Sequence, residues 1–168
     1  MIPLRTNRLT IRELELTDAR FILELVNTPG WLQYIGDRNI HSIKDAERYL
    51  TDGPLASYEK NGFGLCLVER SDDYRSLGIC GFLKRSYLQH PDLGFAFLPA
   101  YVGQGYASEA ANTYLVNTKK TLRLKTVLAI TTPHNQRSIA LLKKLGFLFE
   151  GLMKDPSNGD NLSLFRLD

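Results

Sequence analysis

Two stretches of this 168-residue chain carry residues whose types and spacing could do chemistry. The first is Pro99-Ala100-Tyr101-Val102-Gly103-Gln104-Gly105-Tyr106-Ala107-Ser108-Glu109-Ala110-Ala111. An apolar run from Leu93 to Leu98 leads into it and reads as a strand, and Ala107 to Thr118 reads as a helix. Small residues between a strand and a helix let backbone N–H groups approach a ligand, at a helix start whose opening donors lack partners and whose dipole is positive. Strand, Gly-x-Gly and helix together form a receptor for a phosphate or pyrophosphate, although the same pattern also serves as an ordinary turn. The second stretch opens at Asn135, with Ser138 three residues on, and ends at Gly146-Phe147. Asn135 reads as a helix N-cap and Ser138 as a small residue suited to packing. Asp92 opens the strand that feeds the glycines, where it is either a solvated turn residue after His90-Pro91 or a carboxylate placed to accept a proton.

Composition bounds these possibilities. A mass of 19.0 kDa fits a single domain over residues 1–168, long enough to bury a core. Hydrophobic residues at 43% and charged residues at 23% are ordinary for a globular protein. The net charge of +3 comes from scattered Lys and Arg, so nucleic acid is not an expected partner, whereas an anionic small ligand would suit the balance. Cys66 and Cys80 fall inside apolar runs and read as buried reduced thiols. No His/Cys cluster has metal-ligand spacing, so no metal is expected. With no signal-peptide core and no apolar stretch able to span a membrane, the expectation is a cytoplasmic protein that does not engage membranes.

The elements that must position the two stretches follow from periodicity. Leu9 to Leu14 alternates apolar and polar, as a half-buried strand does. Thr17 reads as the cap of a helix bearing Phe21, Ile22 and Leu25 and broken by Pro29-Gly30. Trp31 and Tyr34 follow in a loop or short helical turn, where Trp31 is either a core plug or, with Tyr34, a wall of a substrate cleft. Ser42-Ile43-Lys44-Asp45 has capping-box spacing and opens a helix to Leu50, which Gly53-Pro54 should interrupt. Phe63–Arg70 and Leu77–Lys84 form a hairpin, Asp92–Leu98 a third strand, and Thr126–Thr131 a buried strand after the long helix. Phe147–Met153 and Leu162–Leu167 close the chain around a turn at Pro156-Ser157-Asn158-Gly159-Asp160. The order β-α-α-β-β-β-α-β-α-β-β, with hairpins in the middle and at the end, predicts an α+β fold with a central mixed, mostly antiparallel sheet of about seven strands and helices on both faces. That topology argues against a dinucleotide-binding reading of the glycines, and no Gly-Lys-Ser/Thr follows them as a P-loop requires.

Jointly, the glycine stretch and Asn135-Gln136-Arg137-Ser138 through Leu145-Gly146-Phe147 resemble the GCN5-related N-acetyltransferases, and within them the group of ribosomal-protein alanine N-acetyltransferases, RimJ and RimL. Leu4-Arg5-Thr6-Asn7-Arg8-Leu9-Thr10-Ile11-Arg12 is similar to that group's N-terminal strand, so the resemblance spans nearly the whole chain. It implies an enzyme that uses acetyl-CoA as co-substrate. Val102, Gly103, Gln104, Gly105, Tyr106, Ala107 and Ser108 would cradle the coenzyme A pyrophosphate, with Val102 standing where the family carries a polar residue. Phe97 and Leu98 match the strand that pairs with the pantetheine amides and stabilises the thioester oxyanion. Asn135 and Ser138 match positions facing the pantetheine arm, and Asp92 matches an acidic position suited to a general base. Leu142 occupies the place of a tyrosine acid in many relatives, which leaves Ser138 or water to protonate the thiolate. Glu109 and Glu150 match common family residues, the first supporting the helix start. The acceptor implied is a primary amine, with a protein N-terminus first and a small molecule (an aminoglycoside or polyamine) as the alternative. A non-catalytic acyl-CoA-binding module remains the rival from another class, and both monomers and homodimers are ordinary in the group.

Overall fold

Residues 3–168 are described by the computed structural model, in which the alternating segment after the N-terminus forms the expected half-buried strand. This strand, β2 (Leu9–Glu13), buries Leu9 and Ile11 completely and pairs with a two-residue strand, β1 (Leu4–Arg5), too short to register as a periodicity. Then come α1 (Ala19–Val26), α2 (Pro29–Tyr34), α3 (Ile43–Leu50), α4 (Ala56–Asn61), β3 (Leu65–Arg70), β4 (Ser76–Leu83) and β5 (Asp92–Phe97). The second half contributes α5 (Tyr106–Thr121), β6 (Val127–Thr131), α6 (Gln136–Lys144), β7 (Leu148–Lys154) and β8 (Asn161–Leu167). The described residues form one eight-stranded sheet in the order β1-β2-β3-β4-β5-β6-β8-β7, antiparallel except between β5 and β6.

Period-2 alternation divides the sheet between two helical layers. Leu65, Leu67 and Ile79 face α1, α2 and α3, where they meet Ile22, Leu25, Trp31 and Leu50. Cys66, Val68, Cys80, Phe82 and Leu93 face the other way, against Ala110, Ala111, Tyr114 and Leu115 of α5 and Leu142 of α6. Two adjacent alanines let α5 lie close to the strands, and Tyr114 stacks edge-on against Phe82 at 5.1 Å while its hydroxyl donates to the Gly64 carbonyl. Cys66 and Cys80 are opposed across β3 and β4 as free, buried thiols, and burial pushes the Cys66 thiol up to about 12.

Three expectations change. Thr17 caps nothing: residues Leu16–Asp18 form a 3-10 turn ahead of α1, and Asp18 receives the Glu15 N–H and an Arg12 fork. Gly53-Pro54 does not break its helix. Pro54 lacks the N–H for an i→i−4 bond, and the backbone widens into a π turn over Thr51–Leu55 that carries α3 into α4. Helix α5 runs past Thr118 to Thr121, because its stop is Arg123 in the left-handed region (φ 53°) rather than a glycine that sequence would reveal.

Arg12 lies between Asp18, whose side chain is 9% exposed, and Glu69, at 12%, with nitrogen–oxygen distances of 2.9 and 2.8 Å. Removing the guanidinium leaves two mostly buried carboxylates facing each other. Because Arg12 itself is partly solvated, Arg12→Met is expected to cost about 2 kcal/mol. That corresponds to a fall in Tm of about 4–8 °C, readable by thermal denaturation.

Candidate active site

The site begins where the sheet opens. Strands β5 and β6 share a single register pair, Asp92 with Leu128, reinforced by the Leu128 N–H donating to the Pro91 carbonyl at 2.9 Å. Beyond it they part, while β5 stays paired with β4 through Phe97 and β6 with β8 through Thr131. Antiparallel pairing alternates which residues bond the neighbour. Since the Leu98 N–H donates to Leu77, the N–H and C=O groups of Phe95 and Phe97 point away from β4 into the opening. Leu98 is therefore not a backbone donor for a ligand: its N–H serves Leu77 and its carbonyl accepts from Tyr101. The backbone groups of Phe97 are unpaired on this side, and Phe95, which the sequence did not single out, has the same geometry.

The glycine loop lies at the mouth of this slot. Gly103 and Gly105 adopt φ of 83° and 82°, a region that glycine enters without strain. Gly105 precedes α5 with no side-chain cap, and the first helical bond is from the Glu109 N–H to the Gly105 carbonyl. Among the described residues, no backbone N–H from Gly103 to Ser108 meets an acceptor in the chain. The Val102 N–H is bonded to Pro99, so the run of free donors starts at Gly103, one residue later than the motif implied. The Gln104 side chain folds back onto the Ala100 carbonyl at 2.7 Å, leaving the loop's outer side to its main chain. Six consecutive donors at the positive end of a long helix are suited to an anion.

Around the loop, Arg8 crosses from the turn before β2. Its Nη1 donates to the Gln104 carbonyl at 3.1 Å, its Nε to Glu109 at 2.7 Å, and its guanidinium carbon lies 4.5 Å from the Tyr106 ring centre. Thr6 donates to the other Glu109 oxygen. Partial burial works against the Glu109 carboxylate, but the bonds from Thr6 and Arg8 outweigh it and hold its pKa below the usual value. A groove of about 410 Å³ beside the loop is lined by Arg8, Gly105, Ser108, Glu109, Asn112, Lys144 and Leu145.

On the far side of the slot, Asn135 caps α6, its side-chain oxygen accepting the Ser138 N–H at 3.2 Å, which leaves its amide NH₂ for another partner. Ser138 is half-buried on the first turn. Leu142 is 1% exposed, part of the core beneath α6. The helix ends as its sequence implied, with Gly146 at φ 91° and bonds from Gly146 to Lys143 and from Phe147 to Leu142.

Asp92 stands at the closed end of the slot, 1% exposed, with both oxygens accepting from Arg85 Nε at 3.0 and 3.2 Å. Burial pushes its pKa up and Arg85 opposes the rise. Neither the solvated turn nor a free carboxylate describes it: the side chain is taken by a cation that the sequence reading passed over. Trp31 sits in the core with α1 and α3, and among the described residues its indole N–H has no acceptor. Tyr34, at the end of α2, is partly exposed.

Comparison with known proteins decides the family. The model of the acetyltransferase (GNAT) domain matches residues 8–148, a span containing both candidate stretches. The chain belongs to the GNAT acetyltransferases. It is 29% identical over 153 residues to an uncharacterized N-acetyltransferase, YnaD, of Bacillus subtilis strain 168, covering 89% of this chain and 84% of that one. Among solved structures, an acetyltransferase from Agrobacterium tumefaciens C58 shares the fold with a TM-score of 0.84 at 22% identity, over 100% of this chain and 95% of that one. A ribosomal-protein-S5-alanine acetyltransferase from Vibrio fischeri does so with a TM-score of 0.83 at 18% identity, over 99% and 96%.

As a GNAT domain the protein is an acetyltransferase, and GNAT acetyltransferases use acetyl-CoA. The site fits that donor. Free N–H groups are suited to a pyrophosphate, and unpaired strand edges to a chain that carries its own amides. Thr6, Arg8, Arg85 and Phe95 escaped the sequence reading. Only Thr6 and Arg8 had a signal, the N-terminal stretch similar to the family's first strand, and nothing in its spacing showed that it reaches a loop nearly a hundred residues on. A side chain at Gly105 would demand the left-handed conformation and place its Cβ 3.4 Å from Arg8 Nη2. Gly105→Val is accordingly expected to abolish acetyl-CoA binding in calorimetry while the far-UV circular dichroism stays that of the parent. Retained affinity would remove the loop from the site.

Proposed function

We propose that this protein transfers the acetyl group of acetyl-CoA directly to the N-terminal amine of a protein or peptide. The donor supplies an activated thioester. The chain's part is to hold it: Gly103–Ser108 take the pyrophosphate, Lys144 in the groove beside the loop takes the outer phosphate-bearing part, and the free edge of β5 receives the pantetheine amides. The N–H of Phe97 or Phe95 is the donor available to the thioester oxygen as it becomes an oxyanion. The amine forms its bond to the acetyl carbon as the carbon–sulfur bond breaks. The ammonium proton passes to water, and the departing thiolate takes one from Ser138 or from water, a modest demand for a thiol whose pKa is about 8.5. Tyr34, partly exposed, is the proposed wall on the acceptor side; Trp31, expected as its companion or as a core plug, is the plug, at 6% exposure among α1 and α3.

The observation that carries the choice of acceptor is the Arg85–Asp92 pair. With both Asp92 oxygens engaged, the acceptor must supply its own neutral amine. An α-amino group, of pKa near 8, is roughly a tenth neutral at pH 7, against about four in ten thousand for an alkyl amine of pKa near 10.4. The resemblance of the N-terminal strand, loop and second helix to the RimJ and RimL group supports the same acceptor. Asp92 thereby becomes a brace for the slot's closed end instead of the general base expected from sequence.

The test is intact-mass detection of acetylated product with a panel of peptides, a polyamine and an aminoglycoside, followed by pH–rate profiles. N-terminal acetylation of peptides is expected, with kcat/KM rising with pH up to the acceptor's own amine pKa. Asp92→Asn should keep that rise and lower Tm instead. Exclusive turnover of the polyamine, or loss of the acidic limb in Asp92→Asn, would overturn the reading. Coenzyme binding with no product from any amine would make the protein a binding module.

A further inference from the structure

Glutamate on the first turn of a helix ordinarily faces the positive end of the dipole and bonds the free N–H groups there. Glu109 occupies that turn of α5, where it would compete with an anionic ligand for the same donors and repel it at short range. It does neither in this fold. One carboxylate oxygen accepts from Thr6 Oγ1, the other from Arg8 Nε at 2.7 Å, with Nη2 of the same guanidinium ion-paired to it at 2.6 Å. The third nitrogen of the same guanidinium holds the Gln104 carbonyl, and its face covers the Tyr106 ring. One side chain thus grips the loop at residues 104, 106 and 109. Arg8 is itself held in place: the Thr6 N–H donates to the Leu9 carbonyl, and the Arg8 and Leu9 N–H groups donate to Thr6 Oγ1 at 3.2 and 2.9 Å, with Leu9 fully buried beneath.

We propose that Arg8 is a positioning residue of the coenzyme loop: by drawing Glu109 aside and neutralising it, Arg8 leaves the N–H groups of Gly103–Ser108 open to a pyrophosphate. The proposal rests on the reading of that loop as the acetyl-CoA site. It distinguishes Arg8 from a surface ion pair, whose effect would be confined to a small change in stability. The Arg8 side chain is 45% exposed, so its loss leaves the core intact.

The test compares the parent, Arg8→Gln, Arg8→Lys and the double variant Arg8→Gln/Glu109→Gln for acetyl-CoA affinity, steady-state constants and Tm. Arg8→Gln is expected to raise both the dissociation constant and KM for acetyl-CoA about tenfold, with kcat and Tm nearly unchanged. The weakening should shrink at high salt, where the repulsion from Glu109 is screened. Arg8→Lys keeps the charge without the fork and should fall between. The double variant should recover most of the lost affinity, because it removes the charge that Arg8 restrains. Parent-like affinity in Arg8→Gln, or a double variant as weak as Arg8→Gln, would overturn the proposal. Should Arg8→Gln fail to fold, the double variant and Arg8→Lys decide alone, a parent-like Arg8→Lys being the contrary result. A parent protein that fails to bind acetyl-CoA would instead remove the loop reading beneath it.

Discussion

Strands β5 and β6 meet at Asp92 and Leu128 and then separate, and most of what the protein can do follows from that parting. Backbone groups facing each other across an opened sheet lack partners, which a fold does not tolerate in its interior without something to satisfy them. Each strand keeps its other edge paired, β5 to β4 and β6 to β8, so the sheet remains whole while one seam stays available. The helical layers fix how wide the seam can be. Helices α5 and α6 press one face through Leu115 and Leu142, and α1 to α3 press the other through Ile22 and Leu50. The Arg85–Asp92 pair closes the narrow end.

The glycine loop completes the arrangement by continuing the seam with donors of a different origin. A helix start presents N–H groups that its own geometry cannot satisfy, and with the two left-handed glycines ahead of it six N–H groups in sequence lack an acceptor among the described residues. The proposed ligand, with a pyrophosphate at one end and amides along a narrow arm, has the chemistry for both sets of donors. The local sequence nevertheless brings a conflicting charge, Glu109, to the same turn. The N-terminal segment takes up that charge, since Thr6 and Arg8 bond the carboxylate and hold it away from the loop's free N–H groups.

How much of this the sequence carried depended on whether a residue's role is set locally. The left-handed turns at Gly103, Gly105 and Gly146 and the Asn135 cap involve only their own backbone or the next turn, and the local sequence shows them. Strand alternation in Leu9–Glu13 and the Ser42 cap were legible for the same reason. Pro54 is not legible in this way, because a proline's missing donor has two remedies, ending the helix or widening it, and this fold takes the second. Leu98 and Val102 lost their proposed backbone donors to Leu77 and Pro99, a matter of pairing phase that a motif does not state. Asp92, Arg85 and Arg8 depend on partners from other elements. Their chemistry was visible in type, but their engagement came only with the fold.

Main-chain N–H groups along the loop and the edge of β5 are the proposed principal donors to acetyl-CoA. A titration of the ¹⁵N-labelled protein with acetyl-CoA, followed by amide chemical shifts, tests this residue by residue. The largest changes are expected at Gly103–Ser108 and at Phe95 and Phe97, with Val102 and Leu98 moving less because their N–H groups are already bonded within the chain. Saturating acetyl-CoA that leaves the Gly103–Ser108 amides where they were, while shifting residues elsewhere, would contradict it.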